Sequence, residues 1–368
     1  MDITFRKHIV ISAVNIRKGG TLTVLKDCLS YLSGRTDLHV TALVHDRSLC
    51  EEPGISYIEI PWSTRSWFHR LWCEYVTMMR ISKRFAQVDL WFSLHDTTPR
   101  VKALRQAVYC HSSFPFLKCS WQDLRMDAKI PLFARFTRFA YKFNSRRNSY
   151  MVVQQDWMRK GLSGLIGFPE QRIVVAPPAF SLPESREAGK AAAAPIFLYP
   201  SSPDCHKNFE VLLEASGILE SKFGTGRFRT VITLDGSENR YSRALKARFG
   251  NISSVDFHGF MSKDELCSFY TDAACLVFPS RIETWGLPIS EFLPTGKPMI
   301  LSDLPYAHET AAGAKQVAFF PCHDAESLAR RMGDVLEGRM AAFAHIEKHA
   351  PAAPVADGWE ELFGLLTK

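Results

Sequence analysis

From Ala274 to Leu301 the chain reads strand, loop, helix, strand, and this order restricts the fold more than any other stretch. The apolar run Ala274–Phe278 stops at Pro279-Ser280, as a buried strand does. A loop with Glu283, Trp285 and Gly286 follows. Pro288 suits the first helical position, where its missing N–H costs nothing. Thr295-Gly296 is a helix stop, and a second apolar run, Pro298–Leu301, begins at once. Such a βαβ unit belongs to a parallel sheet, whose ligands bind at the carboxyl ends of the strands. The amides of Gly286 and Leu287, at the start of the helix, suit an anion.

The same alternation fills the rest of the chain. Strands are predicted at His8–Ala13, His39–His45, Tyr57–Ile60, Asp89–Leu94, Gln106–His111, Ser149–Gln154 and Arg172–Ala176. A second series is predicted at Ile196–Tyr199, Thr230–Leu234, Ser254–His258, Cys275–Phe278, Pro298–Leu301 and Gln316–Pro321, with helices between. Pro177–Pro195 is rich in proline, alanine and charge without periodicity, which marks a linker. A length of 368 residues fits two domains. The expected fold class is therefore α/β, with two Rossmann-like, doubly wound parallel sheets. The expected domains are 1–178 and 196–354, joined by a linker at 179–195, with a C-terminal helix within 355–368.

Composition excludes several classes. The opening MDITFRKHIVISAVN has no signal-peptide core, and no window approaches the length of a spanning helix. Nine cysteines without a C-x-x-C pattern read as reduced thiols. These readings set a cytoplasmic expectation. The net charge of +7 favours anionic partners. No Asp-x-Asp and no His/Cys cluster of ligand spacing occurs, so no protein-held metal is expected.

Glu283 and Glu291 flank the glycine loop, one within it and the other about a turn into the helix. Both can face one crevice, with backbone donors between them. Carboxylates accept from sugar hydroxyls, and free amides suit a phosphate. This stretch closely resembles the C-terminal signature of the family-4 retaining glycosyltransferases of the GT-B fold (glycosyl transferases group 1). The likeness extends back through Val255–Phe260 and forward to Asp303-Leu304-Pro305 and Glu309, and covers the C-terminal half of the chain.

The resemblance implies an enzyme without a cofactor, taking a nucleoside diphosphate sugar as donor and moving a hexose to a sugar hydroxyl with retention of configuration. The expected acceptor is a lipid-linked glycan of a bacterial surface polysaccharide such as O-antigen. It implies a central cleft between the domains and a last helix that crosses back to the first. Lys207, at a helix start, is implied to hold the diphosphate beside Asn208, with Gly286, Leu287 and Trp285 around it. Glu291 is implied to accept from the ribose and Glu283 from the transferred sugar. The arginine usual about six residues before the lysine is missing, and Arg281 is its candidate substitute. Asp235 occupies the turn expected near the nucleotide. His111 corresponds to the family's histidine beside the reaction centre. Gly19, Gly20 and His95 are read on the acceptor side.

Two segments, 65–84 and 125–147, combine apolar stripes with Arg and Lys at helical spacing, which suits an anionic membrane surface. The aromatics lack a β-platform pattern, so no nucleic-acid partner is expected. Two other functions stay open: a non-catalytic sugar-nucleotide or lipid binder of this fold, and a Rossmann-type NAD-dependent sugar-nucleotide enzyme. The second would need the G-x-G-x-x-G fingerprint, which the first βα turn at Gly19-Gly20 lacks.

Overall fold

The computed structural model describes residues 6–117, 129–178 and 194–368, with side chains left out at 129–131. Almost all of the linker at 179–195, and residues 125–128 of the second basic segment, lie outside the described residues.

The chain forms two compact units. One takes the chain up to Phe116, Leu132–Ala179 and Pro351–Lys368; the other is mainly Phe180–Ala350. The first holds a seven-stranded sheet: β1 (Lys7–Ala13), β2 (Leu38–Val44), β3 (Ser56–Glu59), β4 (Leu90–Ser93), β5 (Arg105–Tyr109), β6 (Tyr150–Val153) and β7 (Ile173–Val175). Its order is β3-β2-β1-β4-β5-β6-β7, and every pairing is parallel. The second unit holds β8 (Ile196–Tyr199), β9 (Arg229–Ile232), β10 (Val255–Phe257), β11 (Cys275–Phe278), β12 (Met299–Ser302) and β13 (Val317–Phe320). Here the order is β10-β9-β8-β11-β12-β13, again all parallel.

Each predicted strand is present, within one to two residues at its ends. The reason is two-sided burial, which makes a parallel strand a continuous apolar run. Along β1, Ile9, Ile11 and Ala13 join one core while Val10 joins another with Trp91. The C-terminal helix Trp359–Leu366 belongs to the first unit, where Leu362, Phe363 and Leu366 enter the core with Ile9 and Phe92. Among the described residues no helix is long and apolar enough to cross a membrane.

Sheet order decides where sites form. Chain direction across the sheet reverses between β1 and β4 in the first unit and between β8 and β11 in the second. Loops leaving those strands at their carboxyl ends diverge and leave a crevice.

Candidate functional site

At the switch point of the second sheet two loops meet. The loop after β8 ends in a 3-10 turn, Cys205–Lys207, and Asn208 then takes a left-handed backbone (φ 60°, ψ 45°) before the helix Phe209–Phe223. Asparagine tolerates that conformation better than most residues. Its amide donates to the carbonyls of Pro279 (3.0 Å) and Cys322 (2.6 Å). Asn208 therefore clamps three loops together, which is what its side chain does in this structure.

The loop after β11 is tied down as firmly. Arg281 N–H donates to the His206 carbonyl at 2.9 Å. Tyr306 hydroxyl donates to the Ser280 carbonyl and Tyr199 hydroxyl to the Lys207 carbonyl, each at 2.7 Å. Both tyrosines are buried, and burial holds their hydroxyls protonated well above the usual range.

On this frame Lys207 Nζ lies 2.6 Å from Glu283 Oε1, with the two side chains 15% and 13% exposed. The Arg281 guanidinium is near enough to act on His206 and Glu210. Burial, then the Lys207 charge, pushes the His206 imidazole down to about 4, so it is neutral beside these cations. The corner thus holds two cations, Lys207 and Arg281, with Glu283 paired to the first, on a backbone tied by hydrogen bonds.

Gly286 (φ 93°, ψ 59°) caps the short helix Leu287–Phe292, and Pro288 is that helix's second residue rather than its first. The positive φ favours glycine, and a Cβ at Gly286 would stand 3.2 Å from Ile289 Cδ1, close enough to push that side chain aside. Trp285 Nε1 donates to Ser290 Oγ at 2.8 Å. Glu291 is already engaged, accepting at Oε2 from the buried Tyr270 hydroxyl at 2.7 Å. Asp235 lies three residues past β9, exposed, and accepts from Ser237 N–H at 2.6 Å. Lys246 covers that turn, with Nζ 2.7 Å from the Asp235 carbonyl.

In the first unit Gly19 (φ 73°) caps the helix Gly20–Ser33 without a side-chain cap, and a Cβ there would meet nothing within 4 Å. The strand β5 leads to His111, whose ring packs 4.2 Å from Tyr109 and whose two nitrogens are buried without a protein partner. Burial lowers its pKa, so the ring is neutral. Asp96, itself left-handed (φ 68°), fixes this loop by accepting from His111 N–H (2.5 Å), Ser112 N–H (3.0 Å) and Tyr141 hydroxyl (2.9 Å).

His95 departs from its expected place. Its ring is 1% exposed, with Nε2 2.9 Å from Ser12 Oγ and Nδ1 2.9 Å from Thr97 Oγ1 and 3.4 Å from Glu74 Oε1. Both nitrogens are spent inside the unit, so its ring is not free to touch an acceptor in this structure. Among the described residues no group of three His, Cys, Asp or Glu side chains could hold a metal ion.

Residues 183–351 match the family model described as glycosyl transferases group 1. That span, a little under half of the chain, is similar to that family. This span contains Lys207, Glu283, Gly286 and Glu291. The chain is 26% identical over 198 residues to the serotype-specific mannosyltransferase WbdA of Escherichia coli, covering 53% of this chain and 23% of that one. It is 23% identical over 239 residues to the O-antigen chain mannosyltransferase RfbU of Salmonella typhimurium, covering 64% and 62%. The chain thus spans about a quarter of the first relative's length and under two thirds of the second's. The structure of Anabaena Alr3699/HepE in complex with UDP-glucose superposes with a TM-score of 0.63 at 14% identity, over 91% of this chain and 92% of that one. Together with the two parallel sheets, that likeness gives the fold as GT-B.

Several residues that shape this second unit were not singled out from sequence. Tyr199, Tyr270 and Tyr306 hold its loops and Glu291 from strands and helices distant in the chain. In the first unit Glu74 is fully buried in a π-helical turn, Cys73–Thr77, and pairs with Arg70 at 2.8 Å. An acid four residues after an arginine, inside the apolar stripe Trp67–Met78, was the signal available for it.

Proposed function

We propose that this chain is a glycosyltransferase that moves a hexose from a nucleoside diphosphate sugar to a sugar hydroxyl, with retention of anomeric configuration. The observation that carries this reading is the Lys207–Glu283 pair at the switch point of the second sheet, beside the left-handed Gly286. The Lys207 ammonium and the amides at Gly286-Leu287 suit the diphosphate. Glu283 then accepts from hydroxyls of the transferred sugar, and Glu291 from the ribose. Arg281 adds charge at the corner where the family's usual arginine is missing. His111, neutral and with both nitrogens without a protein partner, is the candidate on the first unit for a contact with the reacting sugar. The match to the group 1 family model and a structural neighbour solved with UDP-glucose support the donor class.

The chemistry asked of the protein is positioning and charge stabilisation. In a retaining transfer of this kind the departing phosphate takes the proton of the attacking hydroxyl, and the sugar passes through an oxocarbenium-like state. Fixed dipoles and the Lys207 and Arg281 cations at the leaving group lower that barrier without reorganising. The proposed acceptor is a lipid-linked glycan of a bacterial surface polysaccharide; the relative RfbU is named an O-antigen chain mannosyltransferase, which supports the polysaccharide part of that reading.

A panel of UDP-, GDP- and dTDP-hexoses tests the reading, with release of the nucleoside diphosphate and the anomer of the product followed together. Hydrolysis or transfer of one donor, lost in Glu283→Ala, is expected. No turnover of any donor, with binding intact, would favour a sugar-nucleotide-binding protein without catalysis.

A further inference from the structure

The helix Lys129–Lys142 has two apolar faces where a helix packed on a sheet needs one. Ala134, Thr137 and Tyr141 recur at i, i+3 and i+7 and are buried. Leu132, Phe136, Phe139 and Phe143 recur at i, i+4, i+7 and i+11, and they are 70%, 37%, 65% and 46% exposed. Phe136 lies two residues beyond Ala134, about 200° round a helix of 3.6 residues per turn. The second stripe therefore points directly away from the core.

It continues onto a neighbouring helix. Phe136 packs edge-on against Trp67 at 5.1 Å, and Phe143 against Tyr75 at 5.1 Å. With Leu71 and Phe139 these side chains line an apolar groove of about 280 Å³. Phe68 and Trp72, 69% and 47% exposed, extend the same helix outward. An apolar patch this continuous is unusual on a surface without a partner.

Among the described residues, the exposed charges of the two segments that form the patch are of one sign. Arg135, Arg138, Lys142, Arg146 and Arg147 are exposed, and the helix 129–142 contains no Asp or Glu. The acid at the groove, Glu74, is buried and paired with Arg70, which lies 5.0 Å over the Trp67 ring. Uncompensated cations beside an exposed aromatic stripe match an anionic lipid surface, in which the rings enter the headgroup layer and the cations meet phosphates. A second copy of this chain would bring the same cations face to face.

We propose that this face of the first unit docks on an anionic lipid bilayer, with Phe68, Trp72, Leu132, Phe139 and Phe143 entering the interface. The docking surface is independent of the donor site, so its test does not depend on the glycosyltransferase reading.

Co-sedimentation of the full chain with phosphatidylcholine vesicles, with and without phosphatidylglycerol, decides it. Binding to the anionic vesicles alone, weakened by salt, with a blue shift of tryptophan emission, is expected. Phe139→Glu combined with Phe68→Glu should abolish binding, and Arg138→Glu with Lys142→Glu should weaken it at least tenfold. All four positions are exposed, so the unchanged melting point of each variant checks that it folds. No binding to anionic vesicles overturns the proposal, as does equal binding to neutral ones. A dimer in solution that Phe139→Glu dissociates, without vesicle binding, assigns the face to a second copy instead.

Discussion

Lys207 and Glu283, 76 residues apart, form a 2.6 Å ion pair at the junction of two loops. The sequence suggests separate tasks for them, one on a diphosphate and one on a sugar, but in the fold each is the other's counter-charge. In the proposed reading, a diphosphate competes with Glu283 for the ammonium. The pairing holds both groups in place, at a corner where Asn208 and Arg281 N–H have already fixed the backbone.

Removing either partner leaves a largely buried charge uncompensated. Lys207→Ala and Glu283→Ala should each lower stability by about 1–3 kcal/mol, and the double variant should lose less than their sum. Urea unfolding of the four proteins measures the coupling. Transfer should fall roughly 10²–10³-fold in each single variant, the scale of losing one group that stabilises transition-state charge.

Asp96 organises the His111 loop through three hydrogen bonds at one carboxylate oxygen, from a strained left-handed backbone. Asp96→Ala should cost about 2–4 kcal/mol, and Tyr141→Phe about 1 kcal/mol, by thermal or chemical unfolding. Activity should fall further than stability explains, because His111 loses its place.

His206 contributes a pH dependence of definite sign. Its pKa falls from 6.5 toward about 4 in the folded chain, through burial and then the charge of Lys207. The unfolded chain therefore binds more protons in this window. The contribution is fully present above pH 6.5 and is lost as pH falls toward 4. Unfolding free energies measured between these values should drop with acid, and His206→Asn should flatten the curve. An unchanged slope would remove His206 from the account.

Phe363 ties the last helix into the first unit, stacked 5.8 Å from Tyr31 and edge-on to Phe92 at 5.9 Å. Phe363→Ala should cost about 3–5 kcal/mol, as truncating a buried aromatic does. Chemical unfolding measures it.

Much of this fold was legible in sequence because buried parallel strands cannot disguise themselves. β1, β4 and β11 are apolar on both faces, and the loops between strands carry glycine, proline or caps where the backbone turns. Individual roles were harder to read. Asn208, expected at the donor, spends its amide on the carbonyls of Pro279 and Cys322, partners 71 and 114 residues away. Glu291 shares its carboxylate with Tyr270, and His95 is locked between Ser12 and Thr97. Periodicity tells which face a residue occupies, not which distant group has claimed its hydrogen-bonding capacity. The π-helical turn that buries Glu74 likewise breaks the regular spacing that such readings rely on.

Calorimetric titration with whichever nucleotide sugar the panel selects tests the central claim most directly, comparing the native chain with Lys207→Ala. The account predicts affinity at least tenfold weaker in the variant, with the same stoichiometry. Equal affinity in the two proteins would contradict it, since the diphosphate would then be held elsewhere.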